Sequence, residues 1–196
     1  MENKCAGAIA HFLVSMLPEI KAKERVIKYG VELIITASVG LLLAAFVSLI
    51  AGKPIAWIAF ILGFAPLRTT AGGFHASSHL GCYIITTTTF AVSVTFSLIG
   101  NVTVWHYIII STLSSIVMLI LSPIAAMNKP LSPTKRLANR YISLLIIGLE
   151  LVVSLLCVLY DIQHIYIDLF YFGIFAASIS LIAAKINNLL RKETKT

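Results

Sequence analysis

The sequence predicts an all-α polytopic membrane protein: six transmembrane helices preceded by an N-terminal amphipathic helix lying in the interface. Three observations carry this. Of 196 residues, 59% are hydrophobic and only 12% charged, about half the charged share of an ordinary soluble domain. Mean hydropathy is +0.96, and six apolar runs account for it. Fifteen Lys and Arg against eight Asp and Glu give a net charge of +7, which in such a chain reports orientation and not nucleic-acid binding. Three cysteines at unrelated spacings (Cys5, Cys82, Cys157), with no Cys-x-x-Cys pair, imply no disulfide framework and no zinc site.

The first apolar stretch, residues 6–17, is not read as a signal peptide. His11 interrupts it, no small-x-small cleavage site follows, and Pro18-Glu-Ile-Lys-Ala-Lys-Glu-Arg does not resemble a mature start. Ile9, Phe12, Leu13, Met16 and Ile20 recur instead at three- and four-residue steps, the pattern of one helix face. Residues 1–30 are therefore expected to form an amphipathic helix on the cytoplasmic surface, kinked near Pro18.

Spans are expected near residues 31–51, 54–67, 82–100, 103–122, 141–160 and 166–184, with 185–196 as a basic cytoplasmic tail. Most approach the roughly 20 residues needed to cross about 30 Å of hydrocarbon. The run from Pro54 to Leu67 is shorter, 14 residues or about 21 Å, and a re-entrant turn is the alternative. Charge separates the two. Six crossings leave Lys53 as the one basic residue outside, whereas a re-entrant second run would put ten of the fifteen outside. The positive-inside bias favours six crossings with both termini in the cytoplasm.

That topology makes residues 68–81 the first cytoplasmic loop, and the loop concentrates the chemistry. Its sequence runs Arg68-Thr-Thr-Ala-Gly72-Gly73-Phe-His75-Ala-Ser-Ser-His79-Leu-Gly-Cys82. Gly72 and Gly73 permit a tight turn or close approach to a substrate chain, although a glycine pair alone is most often an ordinary turn. Cys82 begins the third span, where the unpaired N–H groups of a helix N-terminus favour negative charge. Two imidazoles lie within seven residues of it, and imidazole can take the thiol proton or pair with the thiolate. A thiol in mid-span, as Cys157 is, reads instead as an inert small hydrophobe.

Were residues 75–82 one continuous helix, His79 would stand about 4.5 Å along the axis from Cys82 and His75 about 10.5 Å. Continuous-helix geometry thus favours His79, while Ser77-Ser78 and Gly81 allow a break that would bring His75 closer. A His-His-Cys metal site lacks a nearby fourth ligand, so neither metal nor cofactor is expected. Arg68 has an interface-anchoring reading too. Thr86 to Thr89, Ser93, Thr95 and Ser97 make the third span rich in hydroxyls. Glu150 places an ionisable group inside the fifth, a position that by default marks function or a buried partner.

Arg68, Gly72-Gly73, His75 and Cys82 together resemble the signature of the accessory gene regulator B family. The proline-rich basic segment Ser122-Pro123…Asn128-Lys129-Pro130-Leu131-Ser-Pro-Thr-Lys135-Arg136 is similar to that family's loop between the fourth and fifth spans. The resemblance implies a cysteine endopeptidase of the bacterial cell membrane that matures quorum-sensing peptides. It assigns the nucleophile to Cys82 and the base to the histidine after Gly-Gly-Phe, His75. Arg68, Gly72 and Gly73 take supporting parts, and Lys129, Lys135 and Arg136 are expected to meet substrate. The partner it implies is a short propeptide with an amphipathic N-terminal helix and an acidic C-terminal tail, processed at the lipid bilayer, and it is compatible with a homodimer. The reading from another class is a small peptide transporter or exporter without covalent chemistry.

Overall fold

The computed structural model describes residues 2–16, 24–74, 78–124 and 132–193, and within them the side chains at all positions except 2–6, 33, 79 and 191–193. Among the described residues the chain is helical, with no strand: α1 (Glu2–Met16), α2 (Glu24–Ile50), α3 (Ala56–Thr70), α4 (His79–Ile99), α5 (Val104–Leu121), α6 (Pro133–Leu159) and α7 (Ile165–Glu193). Five of these, α2, α4, α5, α6 and α7, are long and apolar enough to cross a membrane; α3 is apolar but has only 15 residues.

The helices outrun the apolar runs. Helix α2 begins at Glu24, ahead of the expected 31, because Glu24, Arg25 and Lys28 are good helix formers that need no burial. Ser132 accepts a hydrogen bond from the Lys135 amide and Pro133 occupies the first turn, so α6 starts where a Ser-Pro cap predicts. Residues 185–193, expected as tail, continue α7.

The short helix α3 lies at the centre of the bundle. Ala56, Phe60, Gly63 and Leu67 are buried along its length, and α7 packs against it. Two glycines set that spacing: a Cβ on Gly63 would collide with the Phe170 carbonyl, and one on Gly173 with the Phe60 carbonyl. Helices without side chains at a crossing can approach closely, which replaces the missing hydrophobic drive inside a bilayer with dispersion contact. Around this pair, Tyr107 and Met118 of α5, Ile147 and Cys157 of α6, and Tyr171, Ile174 and Leu181 of α7 form one buried cluster. Phe60, Phe90, Val94 and Leu169 anchor a second, on the side of α2 and α4.

Helix α1 packs on α2 through Ala10 and Val14. The stripe that the sequence singles out points elsewhere: Ile9, Phe12, Leu13 and Met16 are all exposed. Ile20 and the expected kink at Pro18 lie outside the described residues.

Candidate functional site

The site is built from the end of α3, the turn that follows it, the first turns of α4 and the C-terminal half of α7. Pro66 brings α3 towards its close by removing one amide donor, and the hydroxyls of Thr69 and Thr70 bond back to carbonyls of the preceding turn. Arg68 sits in that last turn. Its Nη2 donates to the Phe74 carbonyl, while Nη1 is buried without a hydrogen-bond partner.

Both glycines of the pair are required by geometry. Gly72 has φ +86° and Gly73 φ +151°, values that side chains rarely adopt. A Cβ on Gly72 would strike the Ile124 carbonyl; one on Gly73 would strike the Arg68 guanidinium and come within 2.8 Å of Ser180 Oγ. The turn is pinned on two sides. The Ile124 amide donates to the Ala71 carbonyl at 2.9 Å, and the Phe74 amide donates to both the carbonyl and the hydroxyl of Ser180, at 2.8 and 3.1 Å. A further tie, Ser143 Oγ to Thr70 Oγ1 at 3.1 Å, fixes the end of α3 to α6.

Ser78 settles the question of a continuous helix. Its φ and ψ, −133° and 151°, are extended, so the helix containing Cys82 begins at His79. Ser78 caps it, accepting the Gly81 amide at 3.1 Å through its side chain and the Cys82 amide at 3.2 Å through its carbonyl. Cys82 therefore lies in the first turns of α4, and the 10.5 Å separation that a continuous helix would impose between it and His75 does not apply. His75 itself, like Lys129, lies outside the described residues; His79 is placed as the first residue of α4.

Cys82 is a free, half-buried thiol. It lines a cavity of about 320 Å³ together with Arg68, Phe74, Thr86, Thr89 and Ser180. Phe60, Phe64, Ile85 and Ile179 make the remainder of the wall apolar. Arg68 and Cys82 are near enough to interact electrostatically. Two residues spaced 14 apart in sequence thus face one space, along with Phe74 and Ser180, which sequence reasoning missed. Phe74 sits inside the motif and was legible there; Ser180 lies in an apolar helix with no local signal.

Other predicted residues divide. Thr86 and Thr89 line the cavity, and Thr89, like Ser93 and Thr95 outside it, donates its hydroxyl proton to the carbonyl four residues back. Lys135 and Arg136 are exposed on the first turn of α6. Cys157 is buried in the core. Glu150 is 4% exposed with Oε2 unpartnered, and its carbonyl accepts from Tyr171 Oη at 3.3 Å. Tyr171 is nine residues before Ser180, about 13 Å along α7, so Glu150 is not a member of this site. Among the described residues no group of His, Cys, Asp and Glu is arranged to hold a metal ion.

No curated protein and no solved structure matches the chain. The family model described as accessory gene regulator B matches residues 6–181, a stretch that spans α2 to α6 whole, most of α1 and the first part of α7, with the Gly-Gly turn and Cys82 inside it. Such membership suggests a multi-pass membrane peptidase engaged in processing quorum-sensing propeptides. The chain belongs to the accessory gene regulator B family.

Proposed function

We propose that the protein is a membrane-embedded cysteine endopeptidase that removes the C-terminal tail of a short propeptide and lets the retained part close into a ring. One observation carries the reading: Cys82, Arg68 and Phe74, the residue after the glycine pair, border a single, largely apolar cavity in the bundle. His75 takes the Cys82 thiol proton, and the thiolate attacks the carbonyl carbon of the scissile bond. The unpartnered Nη1 of Arg68 is available to the oxygen on which negative charge then develops. Collapse breaks the C–N bond, His75 returns the proton to the leaving amine, and the acyl group remains on Cys82 as a thioester.

A thiol within the retained peptide displaces Cys82 and yields a thiolactone; a hydroxyl in its place would yield a lactone. Thioester exchange is close to balanced in energy, so ring closure wins over hydrolysis only if water is kept out and the peptide nucleophile is held near. A largely apolar cavity in the bundle meets both needs. The exposed Ile9-Phe12-Leu13-Met16 stripe of α1 suits a helix lying on the bilayer beside an equally amphipathic propeptide. The propeptide's acidic tail would lie over Lys135 and the basic segment before it.

Co-expression with a candidate propeptide, trapping, and mass spectrometry of the protein tests this directly. An acyl adduct on Cys82 is expected; an adduct elsewhere, or cleavage that survives in Cys82→Ala, overturns the assignment. Six crossings are part of the same reading, with α3 as the short second one. Single cysteines at positions 53 and 135 in a Cys-free background should then label from opposite faces with an impermeant thiol reagent.

A further inference from the structure

At the end of the bundle that carries the Gly-Gly turn, a second cavity of about 490 Å³ opens between the last turn of α5, the first turns of α6 and α7 near Lys185. It shares no lining residue with the Cys82 cavity. Three cations border it, Arg136, Arg140 and Lys185, and residues 124–140 contain no Asp or Glu to neutralise them. Two large apolar side chains, Ile120 at 73% and Leu137 at 55% exposure, border it as well. Between them Ser122 is 4% exposed, and its hydroxyl has no hydrogen-bond partner.

We propose that this cavity binds the phosphate headgroup of an anionic phospholipid, whose acyl chains run along Ile120 and Leu137. Each part of the wall calls for one part of that ligand. Guanidinium groups offer paired N–H donors matched to phosphate oxygens. A buried hydroxyl without a partner is costly, and an anionic oxygen would satisfy it. Exposed Ile and Leu beside three cations are the surroundings of a lipid at the headgroup boundary, not those of a free ion in water. Arg136, which sequence groups with Lys135 on the same turn, borders this cavity while Lys135 does not.

The cavity is mechanically joined to the turn. Ser122 and Pro123 line it, and the next residue, Ile124, donates to the Ala71 carbonyl and lies against Gly72. A headgroup seated on Ser122 would therefore brace the segment that holds the Gly-Gly turn in place. That consequence for processing rests on the proposed function; lipid binding does not.

The test uses the full chain in phosphatidylcholine nanodiscs, as wild type and as Cys82→Ala, so the result stands whether or not Cys82 is a nucleophile. Native mass spectrometry and the thermal unfolding midpoint are read against added phosphatidylglycerol, phosphatidylcholine and glycerol 1-phosphate. Phosphatidylglycerol should be retained and should raise the midpoint, and the other two should not. Arg136→Gln with Arg140→Gln should weaken retention by roughly five-fold per cation. Lys185→Gln and Ser122→Ala are milder variants that keep the test valid should the double variant fail to insert. Equal retention of phosphatidylcholine, unaltered retention in every variant, an equal response to glycerol 1-phosphate, or displacement of the lipid by an acidic peptide would each overturn the proposal.

Discussion

Helix α7 carries polar contacts near its start and near its middle, and the two places are built differently. Near its start, Asp168 is buried and accepts a 2.6 Å hydrogen bond from Tyr107, whose ring stacks on Tyr171 at 4.7 Å. Each group has its partner, and tight packing surrounds them. Near its middle, Ser180 holds the Phe74 amide, but beside it the Arg68 guanidinium has a nitrogen without a hydrogen-bond partner and Cys82 lines the cavity. A buried polar pair that is fully satisfied stabilises a fold and can do little else. Groups left unpaired beside a cavity keep their capacity for a substrate. Damage around Cys82 should therefore appear in rate, and damage around Asp168 in stability.

The largest effect tests the first half of that contrast. Cys82→Ala should abolish propeptide cleavage while leaving insertion and helical content unchanged. His75→Ala should cost about 10²–10⁴-fold, the usual worth of positioned acid–base catalysis, and the double variant should lose no more than the single cysteine variant. His79→Ala should keep substantial activity. Since the helix starts at His79, helix register does not hold His75 away from Cys82. An inactive His79→Ala beside an active His75→Ala would reverse the assignment of the base.

Much of this was legible before any coordinates. Long apolar runs, with no water to satisfy the backbone, call for helices that bond their own backbone, and a Ser-Pro pair such as Ser132-Pro133 is a cap and first-turn pattern that α6 obeys. The glycine pair, Arg68 and Cys82 were visible because glycine, cationic and thiol chemistry are rare between greasy segments. What lay hidden was pairing across sequence. Nothing near Ser180 announces that its carbonyl and hydroxyl will anchor Phe74, 106 residues away. Nor does Gly63 announce that it exists to let α7 touch α3, because helix contact depends on faces that only the packed bundle defines. For the same reason Arg136 and Lys135, adjacent in sequence, could not be told apart until one of them turned towards a cavity.

Glycine substitutions sharpen the comparison at intermediate size. Gly72→Ala introduces a methyl against the Ile124 carbonyl at φ +86°, a backbone strain of about 1–3 kcal/mol. It should lower cleavage by at least ten-fold, since the turn positions Phe74 and Arg68. Gly148→Ala on α6 meets nothing within 4 Å and should leave activity unchanged and stability equal or slightly higher. Parallel propeptide cleavage assays and denaturation midpoints separate the two. Near the start of α7, Tyr107→Phe removes one donor from Asp168 and should cost about 1–2 kcal/mol of stability. Activity per folded molecule should remain near wild type; a large fall in rate without a fall in stability would erase the division between the two places.

The smallest expected effect concerns substrate capture over Lys135. That side chain is exposed on the first turn of α6, so under the proposed function its attraction for an acidic tail would act through water and be screened by salt. Raising ionic strength from about 0.1 M to about 1 M shortens the screening length from ~10 Å to ~3 Å. An exposed pair is worth at most about 1 kcal/mol, so KM should rise a few-fold while kcat stays constant. Neutralising the tail's carboxylates should produce the same rise at low salt and remove any further response to salt. Lys135→Gln should reproduce part of it. A kcat that falls with salt while KM holds would place the effect inside the Cys82 cavity, and a KM indifferent to all three changes would leave Lys135 as an orientation signal alone.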